Sequence, residues 1–233
     1  FPTRRSSDLV DRPRPHVALV TLNRPERMNS MAFDVMLPLR DVLDELTDDN
    51  DVRAVVLTGA GRGFSSGADH KSAGSIPHVQ GLTRPSFGLR SMQVLDDVIL
   101  GLRKLHQPVI AAVNGPAIGG GWGYAMSCDI RIASPTAIFS ATFSKMGLGP
   151  DAGVSRSLPR VIGHARTLEL LLTAEQLDAD EALRLGIVSK VVDDAVGESI
   201  ALAEQLAAVP AHTRPCVPHC RSKAVRKCAS VGM

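Results

Sequence analysis

Two glycine-rich segments each follow an apolar run closely: Gly63-Phe64-Ser65-Ser66-Gly67-Ala68-Asp69 and Gly115-Pro116-Ala117-Ile118-Gly119-Gly120-Gly121. Glycine allows backbone N–H groups to turn outward at the end of a strand. The second segment opens a helix, whose N-terminus carries partial positive charge. Two such N–H groups converging on one point would form an oxyanion hole for a carbonyl oxygen. The same residues also fit two tight turns with no ligand. Dinucleotide chemistry is excluded, because Phe64 stands where the third glycine of a Gly59-x-Gly61-based fingerprint belongs, and no GK[ST] follows either cluster. Gly63 to Gly67 matches GxSxG, but a nucleophile elbow needs a strand directly before the serine and a helix directly after it. Thr58 ends the nearest strand well before Ser65, and a Gly/Ser/Pro loop follows. His212, Cys216, His219 and Cys220 fit no common zinc-finger spacing, and no metal is expected. His70 and His106 have no partner carboxylate and are assigned structural roles.

The elements that must carry these loops alternate between strand and helix, which implies an α/β fold. His16–Leu22, Val52–Thr58, Val109–Val113, Asp129–Ala133 and Ile187–Val192 are apolar, strand-length runs. Val35, Met36, Leu39, Val42, Leu43 and Leu46 share one helical face, with Asn29 or Ser30 as cap and Pro38 as a kink or delay. Residues 70–88 are expected to be a loop before a second helix that buries Met92, Leu95, Val98, Ile99, Leu102 and Leu105. Further helices are expected at 119–128, 166–172, 179–185 and 195–208, with Gly186 closing the third of these. The uncharged run 105–128 contains prolines and four glycines from Gly115 to Gly121, so strand-turn-helix is preferred to a membrane span.

Of 233 residues, 44% are hydrophobic and 21% charged, as expected of an ordinary globular chain. The net charge of +2 is uneven: residues 1–15 carry +2, residues 212–233 carry +5, and the body carries −5. With only eight aromatic residues as well, nucleic-acid binding has no support. No signal peptide or membrane segment is visible, so the expected location is cytoplasmic. Residues 1–9 resemble a translated sequencing-adapter remnant. The domain reading is therefore 1–15 disordered or artefactual, 16–210 one domain, and 211–233 an irregular tail.

Five ordered motifs resemble the enoyl-CoA hydratase/isomerase (crotonase) family. They are Asn23-Arg24-Pro25-Glu26-Arg27-Met28-Asn29-Ser30-Met31, the 63–69 segment, Asn114 to Gly121, Cys128-Asp129-Ile130-Arg131-Ile132-Ala133, and Ala182-Leu183-Arg184-Leu185-Gly186-Ile187-Val188. The resemblance implies a ClpP/crotonase-like spiral of ββα units. It implies further helices at the C-terminus, which are expected to be truncated or altered in this chain. It also implies an acyl-CoA thioester as substrate, no cofactor beyond the coenzyme A of that substrate, and a homotrimer or hexamer. By motif, the oxyanion N–H donors would be Ala68 and Gly120. Arg27, Met28, Ser65, Ser66, Gly67 and Asp69 would run along the coenzyme A side, and Gly119 and Gly121 would also bind substrate. Asp69 fits a structural turn equally well.

The departures from the family are as informative. The two hydratase glutamates are replaced here by Gly123 and Phe143. Asp151, eight residues after Phe143, matches the aspartate used by some members for proton transfer or nucleophilic attack; it fits a turn cap too. Trp122, Tyr124 and Phe143 would line the acyl pocket or sit in the core. The leading expectation is proton transfer beside an enolised thioester, with Asp151 as acid/base. The alternatives are a non-catalytic acyl-CoA binder or an inactive truncated fragment.

Overall fold

The computed structural model describes residues 9–69, 71, 74–76 and 79–209. Six strands form the main sheet: β1 (Val10–Arg14), β2 (Val17–Leu22), β3 (Ala54–Gly59), β4 (Val109–Val113), β6 (Ile130–Ala133) and β9 (Lys190–Val191), in the order β1-β2-β3-β4-β6-β9. All neighbouring pairs from β2 to β9 are parallel, and β1 is antiparallel to β2 at one edge. A second sheet, β5-β7-β8, joins β5 (Ala117–Ile118), β7 (Ile138–Ser140) and β8 (Gln176–Asp178).

Strand alternation divides the core. Val17, Ala54, Val56, Ile110, Ala112 and Ile132 face one side, where α7 (Ala195–Ala208) covers them through Ala195, Ala203 and Ala207. Ala18, Val20, Val55, Leu57, Val109, Ala111 and Val113 face the other side. There they meet the larger core, to which α1 (Phe33–Asp48), α2 (Arg84–Lys104), α3 (Gly120–Ser127), α4 (Val154–Ile162) and α5 (His164–Thr173) contribute. α6 (Ala179–Arg184) follows β8, and Asp178 caps it by accepting from Glu181 N–H at 2.8 Å.

α1 runs unbroken through Pro38. One proline costs a helix interior ~3 kcal/mol. Seven residues of α1 are buried, each contributing roughly 1.5–3 kcal/mol, so packing outweighs the proline. The cap is Ala32 and not Asn29 or Ser30, whose side chains are engaged elsewhere.

Three expectations are corrected. Residues 10–14 are not disordered: they pair with β2 as an edge strand. The 70–88 loop ends early, because α2 starts at Arg84 with Thr83 Oγ1 accepting from Ser86 N–H at 3.4 Å. Met92, expected to be buried by α2, is exposed. Residues 1–8 of the adapter-like segment, His70 and the four tail residues considered for zinc lie outside the described residues, whereas Leu9 is buried in the larger core. Among the described residues no group of metal-ligating side chains occurs, and no helix is long and apolar enough to cross a membrane.

Two asparagines hold the turn after β3. Asn29 Nδ2 donates to the carbonyls of Ala60 (2.9 Å) and Gly63 (2.8 Å), and its Oδ1 accepts from Arg24 N–H (2.8 Å). Asn114 Nδ2 donates to Gly59 O (2.8 Å) and Gly61 O (2.9 Å) from the other side. Asn29 is fully buried. Asn29→Ala should therefore destabilise by about 3 kcal/mol, lowering Tm by roughly 6–12 °C in thermal unfolding. A Tm within 2 °C of the parent, about what 1 kcal/mol gives, would contradict this assignment.

Candidate active site

The two glycine-rich loops are zipped together by backbone. Phe64 and Ser65 N–H both donate to Pro116 O (3.1 Å each), and Ile118 N–H donates to Ser65 O (2.9 Å). On its other side the first loop pairs in parallel with Met31: Met31 N–H donates to Gly67 O (2.7 Å) and Asp69 N–H to Met31 O (3.1 Å). In parallel pairing, the residue between those two bonds directs its own N–H away from the partner. That residue is Ala68, and its N–H has no acceptor among the described residues.

Gly120 is the first residue of α3, so its N–H has no intrahelical partner; it has none elsewhere among the described residues. The loops meet here. A Cβ on Gly67 would fall 3.3 Å from Gly120 N and 2.6 Å from Ile118 O, and Gly67 holds φ +81°, which favours glycine. A Cβ on Gly121 would collide with Ser65 O.

Ala68 and Gly120 both line one small, partly open cleft. Asp151 lines it too, as do Ser66, Gly67, Gly119 and Phe143. Seven of the residues singled out by sequence thus converge. The remaining walls are Met31, Leu95, Thr142, Met146 and Leu148, which sequence reasoning did not assign to a site. Leu95 carries the periodic signal of a buried helix position, and that signal cannot separate core from cleft. Met146 and Leu148 are 53% and 52% exposed at the cleft, just after the Ser144–Met146 helical turn.

The other named residues do not line it. Asp69 is a structural anchor: its carboxylate, with the side chain 4% exposed, accepts from Arg24 Nη1 (2.8 Å), Arg27 Nη2 (3.3 Å), Ser30 Oγ (3.3 Å) and Lys71 N–H (2.9 Å). Arg27 is thereby committed to Asp69. Met28 Sδ accepts from Arg62 Nε at 3.2 Å. Ser65 is buried and donates to Asn29 O at 2.8 Å. Gly121 is packed on Ser65. Trp122 and Tyr124 are fully buried core residues, and Trp122 sits 6.0 Å from Phe139 at a tilt of 50°. All eight residues of α3 are buried, so its large side chains have only the core to enter.

Asp151 is half-buried, and burial pushes its carboxyl above the usual carboxylate range. The negative charge of Asp96 on α2 adds to that rise, and a backbone hydrogen bond at Asp151 partly opposes it. Among the described residues no other carboxylate lines the cleft. At Gly123 there is no room for one: a Cβ there would fall 2.5 Å from both the Cβ and the carbonyl oxygen of Ala152. Phe143 fills the second glutamate position with a buried ring.

Comparison with known proteins agrees with this geometry. The chain is 62% identical over 187 residues to a probable enoyl-CoA hydratase, echA12, of Mycobacterium bovis, covering 80% of this chain and 66% of that relative. The chain thus spans just under two thirds of the length of that curated relative. A crystal structure of a probable enoyl-CoA hydratase/isomerase from Mycobacterium abscessus superposes with TM-score 0.83 and 53% identity, covering 91% of this chain and 79% of that one. A monofunctional enoyl-CoA isomerase from M. smegmatis superposes with TM-score 0.75 and 49% identity, covering 91% and 89%. The fold is therefore the crotonase fold. The family model described as enoyl-CoA hydratase/isomerase matches residues 13–229, and with the two loops and their cleft in place this chain belongs to that family.

Proposed function

We propose that the protein moves a proton within an enolised acyl-CoA thioester, as a double-bond isomerase does, and does not add water. One observation carries the reading: among the described residues, two unpartnered N–H groups and a single carboxylate line the same cleft. In this reaction Asp151 takes a proton from C2 of a 3-enoyl-CoA. The electron pair moves onto the thioester oxygen, where the Ala68 and Gly120 N–H groups hold it. Asp151 then returns the proton to C4, leaving a 2-enoyl-CoA and the carboxylate regenerated. Donors fixed in place before charge develops need no reorganisation, and each is worth roughly 10²–10³ in rate. A carboxyl with a raised pKa suits a group that must both accept and return a proton.

Hydration would require a water held and activated while a proton is delivered. The two positions that serve this in family hydratases are a glycine walled by Ala152 and a buried phenylalanine. The similarity to a protein described as a monofunctional enoyl-CoA isomerase supports the same reading. Coenzyme A enters as part of the substrate, with no further cofactor. Trimer-based assembly is proposed on the family resemblance alone.

The direct test offers the purified chain a 3-enoyl-CoA and, separately, crotonyl-CoA. Conversion of the first with no loss of crotonyl absorbance is expected. Hydration of crotonyl-CoA would overturn the proposal, and binding of both without conversion would favour a non-catalytic acyl-CoA binder. Asp151→Asn should lower turnover by at least about 10²-fold with thioester binding retained. Its fold should be as stable as the parent's or more so at neutral pH. A raised carboxyl pKa favours folding fully only below the ordinary value, and that contribution is lost as pH rises through the raised one.

The pH dependence follows with the same sign. Asp151 must be ionised to take the proton, so kcat/KM should fall on the acid side with a midpoint above the ordinary carboxylate value. Asp96→Asn removes a like charge and should move that midpoint to lower pH. An acid limb unmoved by Asp96→Asn would show that Asp96 does not act on Asp151.

A further inference from the structure

The turn carrying Asp151 has an unusual backbone. Ala152 and Gly153 hold φ +48° and +73° in succession, so an alanine occupies a left-handed conformation that glycine adopts at no steric cost. What offsets this strain is packing. Ala152 is 3% exposed, and its methyl sits in the groove of α3 over one helical turn: a Cβ on Gly123 would lie 2.5 Å from it and one on Gly120 3.8 Å from it. Asp151 O accepts from Val154 N–H at 3.0 Å, closing the turn into α4. Ile99 of α2 approaches from the far side, 3.5 Å from where a Gly153 Cβ would be.

We infer that Ala152 is a positioning residue: its methyl, keyed into the glycine groove of α3, fixes the Asp151 carboxyl relative to the Gly120 N–H. The acid/base and the oxyanion donor lie on different elements, and the Ala152 methyl is a direct contact between them. Local strain held by surrounding packing is a common feature of sites that need fixed geometry. Displacement of a reacting group by about 1 Å costs up to roughly 10²-fold in rate. The inference rests on the proton-transfer reading for its catalytic consequence, but its geometric content does not.

Ala152→Gly tests it, because glycine is at ease in the left-handed region and only the methyl is lost. The expected result is kcat for 3-enoyl-CoA lower by roughly 10–100-fold, KM within about twofold and Tm unchanged or higher, since glycine reaches φ > 0 without strain. Ala152→Ser, which keeps a Cβ in the groove, should restore most of the loss. A second readout is independent of turnover: the Asp151 carboxyl followed by carbon NMR should titrate closer to an ordinary aspartate in Ala152→Gly. The charged groups on the elements around Asp151 are Arg84, Arg90, Asp96, Asp97, Arg103 and Lys104 on α2, Lys145 in the 144–146 turn, and Arg156 and Arg160 on α4. Of these, Asp96 bears on the carboxyl, whereas Lys145 donates to Ala174 O at 3.3 Å and Arg156 is exposed. An unchanged Asp151 titration would overturn the inference, as would kcat, KM and Tm worsening together, the mark of a merely structural role. Loss of turnover in Asp151→Asn with normal turnover in Ala152→Gly would sink this inference alone. Normal turnover in Asp151→Asn would sink the proton-transfer reading, and the titration would still decide the positioning role.

Discussion

Three chain segments that belong to no long element, 28–31, 63–69 and 115–121, approach one another at backbone contact distance. The middle one is sandwiched: Met31 exchanges hydrogen bonds with Gly67 and Asp69 on one side, and Pro116 and Ile118 bond to Phe64 and Ser65 on the other. The closeness is possible because Gly121 has no side chain to meet the Ser65 carbonyl. The parallel bridge at Met31 turns the Ala68 N–H outward, and the start of α3 leaves the Gly120 N–H without an internal partner. Two donors then open into one cleft without any side chain being spent on them. The parallel strands β3 and β4, buried on both faces, supply the fixed ends from which both loops depart.

Irregular loops of this kind need polar anchors, because their backbone groups lack a ladder. Asn29 and Asn114 satisfy the turn after β3 from opposite sides, and Asp69 gathers two guanidinium groups, a hydroxyl and an N–H. A buried carboxylate met by two arginines is stable only when so fully satisfied. That is why the conspicuous polar residues of the motifs are mostly scaffold. The groups left free for chemistry are plain: two backbone N–H groups and one half-buried aspartate.

The cleft is specialised by what has been filled. Ala152 closes the space over Gly123, and Phe143 places a ring where a second carboxylate would act. One carboxylate in apolar surroundings, with Asp96 raising its proton affinity further, suits taking and returning the same proton. The left-handed alanine beside it shows stability yielded locally in exchange for a fixed arrangement.

Much of this was legible in the residue order. Periodicity located α1, α7, β3 and β4, because long elements show in sequence which face they bury. The family resemblance pointed to Ala68, Gly120 and Asp151, and the fold brings all three to one cleft. Tertiary structure alone decided the rest. β1 and the short strands β5, β7 and β8 exist through their pairing partners and have too few residues for a period to show. Leu95 and Trp122 both carry an apolar signal, yet one lines the cleft and the other packs at a tilt against Phe139 in the core. Asp69 and Asp151 are both motif carboxylates, yet two arginines claim the first and none reaches the second. A side chain's type specifies what it can bind; only the folded chain determines which partner arrives.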